Sequence, residues 1–206
     1  RNGKPYELCV VPEREGFTLR EEEPGEELAT AMAKLQQHVE FPEGYESEVN
    51  LRAEEWVRSL AAFLEQGVAL LIDYGFPRSE FYHPQRSRGT LMCHYRHRAH
   101  EDALILAGLQ DITAHVDFTA MAEAAVEAGL SVRGYTSQAN FLLANGLTEL
   151  LNEVRGDVRQ QLALAGQVKR LTMPGEMGEL FKVMALARGW DRPLQGFALR
   201  DERGRL

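Results

Sequence analysis

The sequence predicts an α/β fold, and two observations support that class. Residues 68–72, Val-Ala-Leu-Leu-Ile, form an unbroken apolar run, the pattern of a strand that is covered on both faces in a parallel sheet. A helical pattern over 54–66 leads into this strand through Gly67, and Asp73-Tyr74-Gly75 ends it. Helix, glycine, buried strand and acidic loop together make one α/β unit.

Residues 1–66 predict a hairpin followed by two helices. Apolar residues alternate over 5–20, which indicates two strands with a turn near 13–16. Two later stretches place apolar residues at helical spacing, and Pro42 and Gly44 close the first of them. The residues expected to be buried are Leu28, Met32, Leu35 and Val39 in the first helix and Trp56, Leu60, Phe63 and Leu64 in the second.

Residues 76–117 form a long connection with little periodicity, which is unusual in a compact domain unless it builds a site or a lid. We therefore expect it to be a functional arm. The patterns that follow predict a helix ending at Gly129, a strand over 130–134, a helix capped by Thr136 or Ser137, a break at Gly146, a helix over 147–164 and a last strand over 180–187.

The composition excludes several classes of protein. Lys and Arg number 23 and Asp and Glu number 31, and this net charge of −8 disfavours a general affinity for nucleic acid or anionic lipid. The longest apolar run is far too short to cross a bilayer. Cys9 and Cys93 form no CxxC pair, so we expect no disulfide and no structural zinc, and we favour a reducing compartment. The chain starts at Arg1 without an initiator Met or a signal core, which predicts an excised piece.

Asp73 is the strongest single candidate for a functional residue. Open α/β sheets bind ligands beyond the carboxyl ends of their strands, and Asp73 follows such an end. Its carboxylate could orient a substrate donor or accept a proton. Alternatively, Asp73 only caps the next turn.

An island of positive charge follows. Residues 78–100 hold five arginines and four of the six histidines, with Glu80 as the only opposing carboxylate. Guanidinium groups bind carboxylates bidentately, so the island could clamp a carboxylate or an acidic partner, or it could be a solvated loop. His94, His97 and His100 share one face only in a helix, so a metal site is not favoured.

Two further stretches carry polar candidates. Residues 111–118 alternate as an edge strand would, and this predicts one face that bears Asp111, Thr113, His115 and Asp117. That face could be a site wall or could face solvent, with Asp117 or Thr119 capping the next helix. Before the second helix, Glu46, Glu48 and Asn50 could hold a guanidinium or lie in solvent.

The sequence lacks GxGxxG after a strand, GxxxxGK[ST], GxSxG and HExxH, so dehydrogenase, P-loop and hydrolase classes have no local support. Nearly the whole chain instead resembles the MidA-type S-adenosylmethionine-dependent methyltransferases, the family of the mitochondrial complex I assembly arginine methyltransferase. The matching segments are 67–75, 84–95 with Gly89-Thr90-Leu91, Asp111-Ile112-Thr113-Ala114-His115-Val116-Asp117-Phe118, Gly134-Tyr135-Thr136-Ser137-Gln138, and 174–183.

The resemblance implies a class I, Rossmann-like methyltransferase fold, a mostly parallel sheet with helices on both faces. Residues 1–206 would be its later half, with a hairpin and helical insertion at about 5–66 and a substrate-side arm at about 76–117. The strand over 68–72 would be central, and 180–187 would belong to the closing pair. The family's glycine-rich loop for S-adenosylmethionine and its acidic ribose ligand would precede Arg1.

The resemblance also implies in-line attack of a nitrogen on a sulfonium methyl, for which the protein supplies alignment and excludes water. An arginine acceptor must in addition be oriented and lose a proton. The candidate catalytic carboxylates are Asp73, Asp111 and Asp117. The candidate substrate-binding residues are Tyr74, Gly75, Tyr95, Thr113, His115, Glu48 and Asn50.

The function predicted from the sequence is therefore S-adenosylmethionine-dependent arginine methylation of a protein, in support of respiratory complex assembly. We expect no metal and no nucleic acid, and we favour the bacterial cytoplasm over the mitochondrial matrix. The alternative is a non-catalytic module whose arm docks an acidic partner. A third hypothesis is that 76–117 only closes the sheet and dimerises the chain.

Overall fold

The computed structural model of this chain describes residues 2–153 and 157–206. The chain divides into two compact units. The arm unit comprises Arg1–Leu51 and Ser79–His115, and the sheet unit comprises Arg52–Arg78 and Val116–Leu206. The part of the predicted helix over 147–164 that falls on 154–156 lies outside the described residues.

The elements follow one another in this order: β1 (Glu7–Glu13), β2 (Gly16–Glu22), α1 (Glu26–Leu35), α2 (Leu51–Phe63), β3 (Gly67–Phe76), α3 (Arg78–Phe81), β4 (Met92–Tyr95), β5 (Arg98–His100), β6 (Asp111–Thr113), β7 (Val116–Asp117), α4 (Phe118–Glu127), β8 (Ser131–Ser137), α5 (Gln138–Ala144), α6 (Leu147–Glu153), α7 (Val158–Thr172), α8 (Met177–Leu180) and β9 (Phe181–Arg188).

The arm unit contains two small antiparallel sheets. β1 and β2 form the predicted hairpin, and β4 lies between β5 and β6 in a three-stranded sheet. The arm is therefore a structured subdomain rather than an irregular loop.

The sheet unit contains a four-stranded sheet in the order β7-β3-β9-β8. β9 is antiparallel to both β3 and β8, so β3 and β8 run in the same direction. β7 is parallel to β3 over two residue pairs, Gly75 with Val116 and Phe76 with Asp117. The carboxyl ends of β3, β7 and β8 consequently lie at one edge.

One face of this sheet packs on α2 and α4. The buried cluster there includes Val57, Phe118, Tyr135, Met184 and Leu186. The other face carries a smaller cluster of Val183, Ala185 and Phe197. Alternate residues of β9 thus supply both cores, which explains why its sequence is an almost continuous apolar run.

The sequence prediction for 68–72 was wrong in three respects. Leu70 and Ile72 are 47% and 51% exposed, so β3 is covered on one face only over this stretch. The neighbour of Leu70 is Ala185 of an antiparallel strand. The strand also continues to Phe76 and includes Asp73, Tyr74 and Gly75. An apolar run identifies a strand, but it does not reveal which of its faces is covered.

β3 has an open edge. Among the described residues, its side opposite β9 pairs with another strand only at Gly75 and Phe76. Leu70, Ile72 and Tyr74 are exposed on the same stretch. A strand with an unpaired edge and an uncovered apolar face is a ready surface for a further strand.

The second predicted helix has its buried stripe displaced by one residue. α2 buries Val57 and Ala61, whereas Trp56 is 51% and Phe63 is 72% exposed. The prediction followed the large aromatic residues of the helical pattern. The residues that α2 buries are the smaller Val57 and Ala61, which let the helix lie close to the sheet.

The predicted edge strand over 111–118 is two strands. β6 belongs to the arm sheet, where the Thr113 hydroxyl donates to the Met92 carbonyl and the His115 amide donates to Thr90 Oγ1. β7 belongs to the other sheet. Asp111, Thr113, His115 and Asp117 therefore do not line one face of one strand.

Other local predictions are confirmed. The hairpin turn falls at 13–16, and Ser137 caps α5 by accepting from the Asn140 amide. Gly146 separates α5 from α6. In the part of the chain that the structure describes, no helix is long and apolar enough to span a membrane.

The parallel junction of β3 and β7 requires glycine at position 75. A Cβ there would lie 2.3 Å from the Val116 carbonyl oxygen and 2.7 Å from the Phe118 ring. We expect Gly75→Ala to lower the free energy of unfolding by about 2–3 kcal/mol, because backbone must move to accommodate it.

Chemical denaturation of the chain measures this effect. The matched control is Gly166→Ala within α7, where a Cβ would meet nothing within 4 Å; it should raise stability by about 0.5–1 kcal/mol. Equal effects of the two substitutions would contradict this account of the junction.

Candidate functional site

Three polar residues form a row across the carboxyl edge of the sheet. Asp73 of β3 pairs with Lys182 of β9, which pairs with Ser137 of β8. Residues directly opposite one another in a sheet project from the same face. Because this edge is where open α/β sheets bind ligands, we take it as the candidate site.

Asp73 is the accessible charge of this row. Its residue is exposed, and its Oδ1 accepts from the Tyr74 amide at 2.8 Å. The Lys182 side chain is only 8% exposed, and its ammonium donates to the Glu179 carbonyl. The same ammonium lies 6.0 Å from the centre of the Phe76 ring. The Asp73 carboxylate is therefore accessible at the surface, whereas the Lys182 ammonium is enclosed.

An aromatic pair adjoins the row. Tyr74 pairs with Phe181 across the strands, and the ring centroids are 4.1 Å apart with the planes inclined by 40°. Tyr74 remains 38% exposed. Because successive residues of a strand project from opposite faces, this aromatic pair lies on the face of the sheet opposite Asp73 and Lys182.

Asp117 ends β7 and holds the start of α4. Its Oδ1 accepts from the Thr119 and Ala120 amides at 2.9 and 3.1 Å. Arg78 lies alongside with both Nη atoms on the Glu123 carboxylate, at 2.7 and 2.8 Å, and with Nε 3.4 Å from Asp117 Oδ2. Asp117 is therefore the N-cap of α4, which was one of the two roles that the sequence analysis left open for it.

Burial raises the pKa of Asp117 above its ordinary value of 3.8. The opposing effects of Arg78 and of the two amides are smaller, because Arg78 directs its fork to Glu123 and reaches Asp117 only through the longer contact. The hydrogen bonds to Glu123 in turn raise the pKa of Arg78, which stays charged. This network fixes the geometry of the β3–β7 junction.

Glu48 anchors a loop in the arm unit. Its carboxylate accepts from the Thr90 amide, the Thr90 hydroxyl and the Leu91 amide at 3.0–3.1 Å. A Cβ at Gly89 would lie 2.3 Å from Glu48 Oε1. Both carboxylate oxygens thus accept hydrogen bonds from Thr90 and Leu91, and the guanidinium-holding role of Glu48 stays a prediction. Asn50 is exposed in the same unit.

The remaining predicted residues lie in the arm unit as well. Asp111 pairs with His94 at the edge of the three-stranded sheet, and Tyr95 lies 5.3 Å from the Arg96 guanidinium. Thr113 and His115 hold the arm together through the hydrogen bonds given above. The structure thus brings together Asp73, Tyr74, Gly75 and Asp117; a shared cleft with Asp111, Thr113, His115 and Tyr95 stays a prediction.

The basic island is partly internal structure. Arg78 is committed to Glu123, and Arg86 donates to the Glu80 and Phe81 carbonyls. Cys93 pairs with His100 and His94 with Ala99, so His94 and His100 project from opposite faces of a strand pair. Within 2–153 and 157–206 no cluster of three or more metal-binding side chains occurs.

Sequence reasoning missed Lys182, Phe181 and Ser137 as site residues. A lone lysine in the apolar run 181–188 was an available signal, because a buried cation needs a structural or chemical reason.

A shallow cavity lined by Val126, Leu130 and Arg203 lies at the amino-terminal end of β8 and is therefore remote from the carboxyl edge.

The described residues do not form a cradle for a dinucleotide-like cofactor. The two longer helices that start at this edge, α4 and α5, already have their first amides bound by Asp117 and Ser137. No GxGxxG turn joins a strand to a helix anywhere in the sequence.

Comparisons with known proteins agree with this fold. The family model of S-adenosyl-L-methionine-dependent methyltransferases matches residues 2–136. A COG1565 superfamily protein from Burkholderia thailandensis is 45% identical with a TM-score of 0.91, over 98% of this chain and 54% of that one. A COG1565 superfamily member from the same organism, whose structure was solved bound to S-adenosyl-homocysteine, is also 45% identical. Its TM-score is 0.90, and the match covers 98% of this chain and 52% of that one.

Among curated proteins, Protein arginine methyltransferase NDUFAF7, mitochondrial, of Mus musculus is 32% identical over 123 residues, which are 58% of this chain and 26% of that protein. The chain thus spans about half the length of the solved structures and about a quarter of the mouse relative. The fold is that of the class I, S-adenosylmethionine-dependent methyltransferases. The chain belongs to the methyltransferase family whose model it matches over 2–136.

The raised pKa of Asp117 predicts the direction of a pH effect. Because the folded chain holds this proton more tightly than the unfolded chain, protonation favours folding. Asp117→Asn keeps an oxygen that can cap α4 and removes the titration. The stability advantage of the wild type over this variant should be largest below about pH 4 and shrink as the pH rises through the folded pKa.

Chemical denaturation of both proteins across this pH range measures the difference. An advantage that instead grows with pH would show that the attraction of Arg78 exceeds the cost of burial.

Proposed function

We propose that this chain forms the acceptor side of an S-adenosylmethionine-dependent methyltransferase that acts on an arginine side chain of a protein. The observation that supports this most directly is the exposed Asp73 carboxylate near the carboxyl end of β3. The family supplies the reaction class, and the edge supplies the acceptor chemistry.

A guanidinium fits this edge in charge. It is permanently cationic, and it bonds carboxylates through paired N–H donors. Asp73 provides the carboxylate. The enclosed Lys182 ammonium faces Glu179 and Phe76, so the charge nearest to the acceptor is that of Asp73. The mouse relative is a protein arginine methyltransferase, which supports the same acceptor class.

Asp73 would have two roles. Its carboxylate orients the guanidinium so that one nitrogen faces the methyl donor. As that nitrogen forms its new bond to the methyl carbon, the S–CH3 bond of the donor would break to leave a thioether, and the nitrogen must release an N–H proton, which the Asp73 carboxylate accepts. β3 holds Asp73 rigidly, because the residue is inside the strand and not on a free loop.

We also propose that strands carrying the cofactor-binding residues pair along the open edge of β3. The unpaired edge of Gly67–Tyr74 and the exposed Leu70 and Ile72 support this. The closed helix starts at Asp117 and Ser137 support a cofactor site outside the described residues. The resemblance further supports a role in respiratory complex assembly and a cytoplasmic location.

The test is Asp73→Asn in the full-length protein, with methyl transfer to an arginine peptide followed by radiolabelled S-adenosylmethionine. The amide keeps the size of the side chain but loses its charge and basicity, so we expect kcat/KM to fall by about 10²–10⁴-fold.

The control is Asp191→Asn, a charge change of the same kind at another exposed aspartate. It should leave kcat/KM within about twofold of wild type. Full activity of Asp73→Asn would overturn the role of Asp73, and transfer to a lysine peptide alone would overturn the acceptor class.

A further inference from the structure

A tightly packed turn leads into β9 at the candidate site. Gly178 is buried in α8, where a Cβ would collide with the Thr172 carbonyl oxygen, and its amide donates to the Met173 carbonyl at 3.1 Å. The Glu176 amide donates to the same carbonyl at 3.0 Å. These contacts fix the backbone of Glu179, the next residue of α8, beside the start of β9.

The Lys182 side chain is directed toward this turn. Its ammonium donates to the Glu179 carbonyl and lies 3.9 Å from Glu179 Oε2. The Lys182 side chain is enclosed, whereas that of Glu179 is half-exposed. An ammonium that has lost its hydration requires a hydrogen-bond acceptor and a counter-charge. Glu179 supplies the first with its backbone and the second with its carboxylate.

Asp73 is the alternative carboxylate for this ammonium. It lies directly opposite Lys182 in the antiparallel register. Residues paired in this way project from the same face with Cβ atoms about 4.5–5.5 Å apart, and opposite charges at such positions attract. A lysine carries its charge on a flexible four-carbon stem, so the ammonium can reach either carboxylate. In the structure it is bound at Glu179, and Asp73 is exposed.

We propose that Glu179 is a positioning residue that retains the Lys182 ammonium and so prevents it from occupying Asp73. This inference rests on the proposed role of Asp73 as the group that binds a cationic acceptor. An internal cation on Asp73 lowers the fraction of molecules that can bind the acceptor, and the apparent affinity falls in proportion to that fraction. A saturating acceptor displaces the internal cation, so the maximal rate is preserved.

The test is Glu179→Gln in the full-length protein, with steady-state methyl transfer to an arginine peptide. The amide keeps the size of the side chain and removes the counter-charge of Lys182. The KM for the peptide should rise about fivefold, as expected when a partly exposed ion pair must be displaced, and kcat should stay within about twofold of wild type. The matched control is Glu176→Gln, an exposed glutamate of the same turn, which should keep KM within about twofold.

A second substitution identifies Lys182 as the competitor. Lys182→Met should lower KM about fivefold in the Glu179→Gln protein, and by a smaller factor in the protein that retains Glu179. The two effects differ because Lys182 occupies Asp73 only after Glu179 has lost its charge. Equal effects in the two backgrounds would show a general influence of charge on KM and would overturn the proposal.

The outcomes separate this inference from the proposed function. Full activity of Asp73→Asn would remove the role of Asp73 and both proposals with it. A loss of kcat in Asp73→Asn together with an unchanged KM in Glu179→Gln would overturn only the role of Glu179. A lower kcat with unchanged KM in Glu179→Gln would also contradict that role, because it would indicate a displaced Asp73 rather than a competing cation. Circular dichroism checks that each variant is folded.

Discussion

The parallel contact between the ends of β3 and β7 is the constraint on which the rest of this structure depends. It exists because Gly75 has no side chain, so the Val116 carbonyl and the Phe118 ring can lie against the β3 backbone. The contact fixes where β3 ends and where α4 begins. Asp73, Tyr74 and Asp117 are thereby placed at one edge, the edge that faces ligands in open α/β sheets.

The charged groups at this edge differ in their partners and in their exposure. Asp117, Arg78 and Glu123 compensate one another inside the junction, and Lys182 is enclosed by Glu179 and Phe76. Asp73 is the carboxylate that remains exposed at the end of a rigid strand. We propose that this exposed carboxylate recognises a cationic acceptor.

The α/β class, the hairpin, the helix cap at Ser137 and the strand over 181–188 could be predicted because each has a local signal. Which faces of β3 are covered could not be predicted, because the apolar run 68–72 has the same sequence pattern whether one face or both are buried. Glu48 and Asp117 were ambiguous for a similar reason: a carboxylate that binds substrate and one that binds backbone amides are identical in sequence. The position of Lys182 at the candidate site could not be predicted from the sequence, because it follows from the strand register that pairs Lys182 with Asp73 and with Ser137.

The most direct test is a crystal structure of the full-length protein with S-adenosyl-homocysteine and an arginine peptide. The account predicts an added strand hydrogen-bonded to Gly67–Tyr74 of β3. It also predicts a peptide guanidinium on the Asp73 carboxylate and the ligand sulfur facing that guanidinium. An unpaired β3 edge, or a sulfur located away from the Asp73 end of the sheet, would contradict it.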